Sequence, residues 1–200
     1  MDVNTIKQEQ WPELAFENWK DTIATLHLWT QIVGKIRLKQ MPWLNHSWHV
    51  TLYVSANGLT TGSIPYQGGV FQIDFDFIHH LLHITTSAGG IEKVNLYPRS
   101  VADFYRELFE KLRNADIDAC ISAGPNEVDP AIPFEKDETY RFYDATRVRD
   151  FQAGQGGLVF YTDQSGIYCR VEFTKDDKGN VTGIKMWWSD GRESYKPKEK

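Results

Sequence analysis

Residues 16–39 read FENWKDTIATLHLWTQIVGKIRLK. Phe16, Trp19, Ile23, Leu26, Thr30, Val33 and Ile36 recur at spacings of three and four, the period of one helix face. No proline interrupts the run, and Pro42 ends it. Beyond Pro42 the period shortens to two. Trp48, Val50, Leu52 and Val54 alternate with His49, Thr51, Tyr53 and Ser55, which predicts a half-buried strand. Phe71, Ile73, Phe75 and Phe77 alternate in the same way with Gln72, Asp74 and Asp76. A long helix followed by alternating strands predicts an α+β fold, in which the helix packs on an antiparallel sheet.

The rest of the chain fits this frame. Asn57-Gly58 suits a tight hairpin turn, with a second short strand predicted at Leu59–Ser63. Leu82 and Ile84 continue the meander, and Ala88-Gly89-Gly90 leads to a strand over Ile91–Tyr97. Ser100 is suited to cap a second helix over Val101–Asn114, with Asp103 in its first turn and Phe104, Leu108 and Leu112 inward. Ile117–Ser122 reads as one more strand. Pro125, Pro130 and Pro133 keep the next stretch extended, and a short helix is predicted between Glu138 and Phe151. Gln152–Gly157 carries three glycines and reads as a linker. Leu158–Thr162, Ile167–Thr174 and Val181–Trp188 are strand-like and form a β-rich C-terminal segment. The predicted organisation is a leader over 1–10, an α+β domain over 11–151, the linker, and a small β segment over 158–200.

Composition narrows the function classes. A chain of 200 residues can bury a core without a metal or disulfide staple. Its net charge of −5 comes with no dense basic stripe, which argues against nucleic-acid and anionic-membrane partners. Neither Cys120 nor Cys169 belongs to a CxxC pair, and both lie in apolar runs that predict buried thiols. The polar N-terminus predicts no secretion signal, and the apolar runs are too short for a membrane helix, so the cytoplasm is the expected compartment.

Two places have chemical potential. Trp29, Trp43, Trp48 and Tyr53 are dense around His46 and His49, and aromatic groups with a few polar ones are the stuff of ligand pockets as well as of cores. His27 and Gln31 stand four apart on one helix face, with Lys35 extending the row. The candidate ligand-binding set is therefore His27, Gln31, Trp43, His46, Trp48, His49 and Tyr53. The second place holds His49, Asp74, Asp76 and His83 on the polar faces of predicted strands. Imidazole and carboxylate together suit zinc or another divalent ion, although the spacings match no ligand motif, and the wet face of a sheet has the same composition. No nucleophile elbow, phosphate loop or dinucleotide fingerprint is present.

Several stretches are familiar together. They are Trp11-Pro12-Glu13-Leu14, Thr25 to Leu38, Pro42 to Val50, Gly58-Leu59-Thr60-Thr61, Phe75-Asp76-Phe77-Ile78 with His80, and Pro98 to Tyr105. Over about residues 10–150 the chain resembles an uncharacterised, mainly bacterial family known only as a domain of unknown function. That resemblance implies no catalytic roles. It implies a shortened family domain, since members of that family continue well beyond the position of Phe151. Residues 157–198 resemble the C-terminal accessory β segment of some β-lactamase-related serine hydrolases, through Val171-Glu172-Phe173, Gly179 to Ile184 and Gly191-Arg192-Glu193. The expected function is non-enzymatic binding of a small ligand or protein at the aromatic and histidine region, without a cofactor. A metal-assisted hydrolase built on the His/Asp set is the alternative.

Overall fold

A computed structural model describes residues 16–154, 158–162, 168–175, 181–188 and 193–197. The leader expected over 1–10, the Trp11-Pro12-Glu13-Leu14 stretch and residues 155–157 of the expected linker lie outside these residues. The first compact unit runs over Leu14–Gln152. Its order is α1 (Lys20–Gln40), β1 (Tyr53–Val54), β2 (Gly58–Thr60), β3 (Ile64–Tyr66), β4 (Gly69–Asp76), β5 (Leu81–Thr86), β6 (Ile91–Asn95) and α2 (Val101–Asn114), closed by α3 (Ala145–Gly154). The strands form one antiparallel sheet in the order β1-β2-β4-β5-β6, with β3 paired to β4. This is the α+β architecture that the periodicities predict.

The core lies between one sheet face and the two long helices. Phe71, Ile73 and Phe75 of β4, Leu82 and Ile84 of β5 and Val94 of β6 are all essentially inaccessible. Alternation puts them on one face, and the antiparallel register stacks them across strands. At the centre the Trp29 ring of α1 stacks on Phe104 of α2 at 4.6 Å and on Tyr143 at 5.5 Å. Offset stacking adds about 0.5–1.5 kcal/mol per pair beyond the burial itself. α2 begins as its sequence predicts, with the Ser100 hydroxyl accepting from the Asp103 N–H at 3.1 Å.

α1 is enclosed more widely than one stripe. Leu28, Trp29, Ile32 and Arg37 are buried along with Leu26, Val33 and Ile36, whereas Phe16 lies outside the helix and is exposed. The reason is a second neighbour. The Thr22 and Thr25 hydroxyls accept from the N–H groups of Asp144 and Phe142 and bind the approach to α3 along the helix.

Three local expectations are overturned. The alternating run Trp48–Ser55 is not a strand. Asn45–Val50 is a 3-10 turn, and only Tyr53–Val54 pairs, with Thr60 and Leu59. Ser47 adopts a left-handed φ of 60°, which breaks an extended run. The His49 ring then closes the turn by accepting from the Leu44 N–H at 3.2 Å. Ile117–Ser122 is also not a strand: among the described residues no sheet edge pairs with it, and the Ile117 N–H closes the end of α2 on the Leu112 carbonyl. Cys120 falls in this irregular stretch and is exposed rather than buried. The Cys169 side chain lies outside the described residues.

The third helix starts at Ala145, where the Asp144 carboxylate accepts from the N–H groups of Thr146 and Arg147. It runs to Gly154, into the stretch that reads as a linker. The second compact unit carries a separate antiparallel sheet in the order β10-β9-β8-β7, from β7 (Leu158–Thr162), β8 (Tyr168–Lys175), β9 (Val181–Trp188) and β10 (Glu193–Pro197).

Candidate functional site: an exposed aromatic surface beside a buried arginine

The candidate residues fall into three separate arrangements. The first is the α1 row. The Gln31 amide donates to the Asn126 carbonyl and accepts from the Asn126 N–H, each at 2.8 Å, and Lys35 donates to the Asn126 side chain. The His27 ring lies 3.2 Å from the Gln31 amide, and burial pushes its pKa below 6.5 against the pull of Glu127. His27 and Gln31 therefore hold the proline-rich segment against the helix.

The second arrangement is the turn between β4 and β5. Asp76 and His83 approach each other here, with 3.8 Å between a carboxylate oxygen and Nε2. The Asp76 side chain is only 9% exposed. Its Oδ1 accepts from the backbone N–H groups of Ile78 and His79, and its Oδ2 lies 2.8 Å from His79 Nδ1. Burial pushes this carboxyl up, but the hydrogen bonds from the His79 ring and from both N–H groups outweigh burial and hold it below its ordinary 3.8. The neighbouring His80 has a left-handed φ of 55° and meets the Tyr143 hydroxyl at 2.9 Å. Burial, then the charge of Arg149, lowers the His80 pKa, while burial and the Asp76 charge push the Tyr143 phenol far above its ordinary value.

Asp74 stands opposite His83 in the sheet register, but both of its oxygens take the Gln72 amide. His49 is engaged in the 3-10 turn with Leu44 and Trp43. Among the described residues no group of three or more His, Cys, Asp or Glu side chains is arranged to hold a metal ion. Asp76 instead organises a tight turn, with the His79 imidazole against its Oδ2.

The third arrangement is the segment from the end of α1 to β1. Trp43 is 70% exposed and Trp48 64%, where Trp19 and Trp29 are buried in the core. Reading Trp43 and Trp48 as core is thus overturned. Leu38, Leu44, Tyr53 and Val54 are exposed as well. The Trp43 ring meets the buried His49 ring edge-on at 5.4 Å, so His49 serves as its base. The side chain of His46 lies outside the described residues. Arg37 of α1 reaches the same place: its guanidinium carbon lies 5.1 Å from the centre of the Tyr53 ring, and Nη1 donates to the Thr51 carbonyl. Sequence reasoning missed Arg37. It sits inside the helical period with a charged side chain, and only its 3% exposure sets it apart. A cleft of about 250 Å³ lies elsewhere, beside Trp19, Pro98 and Phe142, and none of the candidate residues lines it.

Residues 11–161 match the family described as "Family of unknown function (DUF5996)". The chain belongs to that family. No curated protein and no solved structure matches it. The family's domain thus comprises the first sheet, its helices and the aromatic surface, and the match ends within β7. The likeness of residues 157–198 to hydrolase accessory segments rests on its sequence motif alone. Among the described residues no helix is long and apolar enough to cross a membrane.

Proposed function

We propose that this family member is a non-enzymatic, cytoplasmic protein-binding unit whose contact surface is the exposed segment from Leu38 to Val54. The observation that carries the reading is the exposure of Trp43 and Trp48. Tryptophan is costly to leave in water and is enriched at the energetic centres of protein interfaces. Leu38, Leu44, Tyr53 and Val54 are exposed in the same segment, and exposed apolar side chains gathered in one patch mark interaction sites on proteins. A protein partner suits exposed tryptophans, and none of these side chains lines the cleft beside Trp19.

Selection from a peptide-display library tests the reading. Peptides enriched on the intact protein are expected to lose binding to the Trp43→Ala/Trp48→Ala double variant, which stays folded. Enrichment of no peptide, or of peptides that bind both proteins equally, overturns it.

A further inference from the structure

We infer that Arg37 is the anion anchor of this surface, and that its partner is an acidic peptide segment carrying an aromatic or large apolar side chain. The inference rests on the protein-binding reading above and names the partner's chemistry. It stands on two independent observations.

The first is the distribution of charge along the chain. Residues 22–73 contain no Asp or Glu, although the whole chain has 27 of them. The stretch carries Lys35, Arg37 and Lys39, a charge of +3, and leaves the remainder at −8 (19 Lys and Arg against 27 Asp and Glu). All of the exposed aromatic segment lies inside it. An acidic protein thus presents its apolar contact surface on the one long stretch with no carboxylate to repel an acidic partner.

The second is the condition of Arg37 itself. Its side chain is enclosed at 3% exposure, yet among the described residues no carboxylate pairs with it. Nη1 is used by the Thr51 carbonyl, the Tyr53 ring covers one face, and Nε is buried with no hydrogen-bond partner. Among the described residues Arg99 is also strongly enclosed and its Nε likewise lacks a partner, but its charge is paired with Glu107 and it donates to the Asp103 carbonyl, so the missing carboxylate is what sets Arg37 apart. A guanidinium has five donors in a planar fork that matches a carboxylate. Enclosing one without a counter-ion is unfavourable, and a carboxylate from outside removes that deficit. The Arg37–Tyr53 stack and the exposed Trp43 and Trp48 belong to the same carboxylate-free stretch, so an acidic peptide with an apolar side chain matches both features.

The surface is less suited to longer polyanions. Lys35 is engaged with Asn126, so Lys39 is the remaining exposed lysine of the stretch. Nucleic-acid affinity comes from neutralising several phosphates at once, and recognition of anionic lipid uses clusters of four to eight basic residues.

Titration of the intact protein with a random copolymer of glutamate and tyrosine tests the inference, followed by tryptophan fluorescence and calorimetry. Binding is expected, weakening as salt is added. A glutamine–tyrosine copolymer, oligothymidylate and phosphatidylserine vesicles are each expected to bind at least about tenfold more weakly, the loss of one charge-assisted pair. Arg37→Met is expected to keep the thermal midpoint and to lose about tenfold or more in copolymer affinity. Equal affinity for the glutamine copolymer overturns the inference on the unaltered protein, whatever the folding of the variant. So does absence of copolymer binding, or binding of oligothymidylate or vesicles as tight as that of the copolymer. If Trp43→Ala/Trp48→Ala abolishes copolymer binding while Arg37→Met leaves it unchanged, the anion anchor fails and the aromatic surface stands. If neither variant matters, both readings fail.

Discussion

Gln31 and Asn126, 95 residues apart in sequence, exchange two hydrogen bonds: the Gln31 amide donates to the Asn126 carbonyl and accepts from the Asn126 N–H, both at 2.8 Å. One side chain thereby satisfies both backbone groups of a residue in a segment that belongs to no strand or helix. Replacing Gln31 by Ala leaves that pair without its partner and should lower stability by about 1–2 kcal/mol. Hydrogen exchange should rise at the Asn126 amide while the β4 and β5 amides keep their protection. Urea unfolding and exchange mass spectrometry check the two halves of this expectation.

The two classes of tryptophan give opposite outcomes. Trp43→Ala and Trp48→Ala should each change stability by less than about 0.5 kcal/mol, as expected of exposed positions. Trp29→Ala removes the ring stacked between Phe104 and Tyr143 and should cost about 3–5 kcal/mol. Denaturant midpoints at constant slope provide the measurement.

Asp76 sets an acid limb of stability. Its folded pKa is held below 3.8, chiefly by His79 against the opposing effect of burial, so the folded state binds this proton less readily than the unfolded chain. The stabilisation is complete above the ordinary carboxylate value and is lost as pH falls through the depressed one. Asp76→Asn keeps an oxygen for the Ile78 and His79 N–H groups but loses the charge beside the imidazole. It should be less stable than the parent at neutral pH and should converge with it as pH falls below about 3.8. Parallel thermal scans from pH 7 to pH 2 read the convergence.

His27 and His80 act over a higher window. Both have pKa values lowered from 6.5, His27 by burial and His80 by burial together with Arg149. The neutral ring is the form that the fold accepts, so stability is fully present above pH 6.5 and declines as pH falls through the depressed values. His80→Asn removes one of the two rings and should flatten part of that decline; Asn also tolerates the left-handed φ at this position. Unfolding free energies at pH 7.5 and pH 5.5 for parent and variant make the comparison.

Gly58 tests the close approach of β2 to β4. A Cβ built there would lie 2.0 Å from the Phe75 carbonyl oxygen, a backbone atom that moves only if the sheet moves. Gly58→Ala should therefore cost several times the few tenths of a kcal/mol of an ordinary surface substitution, on the order of 2 kcal/mol or more. Loss of protection at the Phe77 amide, which bonds to Asn57, should accompany it.

Helix, meander and second helix were legible because each rests on a local rule. The 3.6-residue period of α1, the alternation of β4 and the Ser100 cap of α2 need only neighbours in sequence. The same rules failed at Trp48–Ser55, where an alternating pattern follows a left-handed Ser47 and contains a His49 ring bonded to Leu44. They failed again at Ile117–Ser122, since a strand needs a free sheet edge and among the described residues none is paired to it.

The candidate site divides along the same line. Sequence alone determined that the chemically dense places are the tryptophan–histidine segment and the Asp74–His83 hairpin, because composition is local. Only the tertiary structure decided that Asp76 and His79 serve a turn, that Trp43 and Trp48 are exposed, and that Arg37 is enclosed with no carboxylate beside it among the described residues. Burial and charge pairing depend on which distant segments meet, and no periodicity in one segment records what its neighbour leaves uncovered.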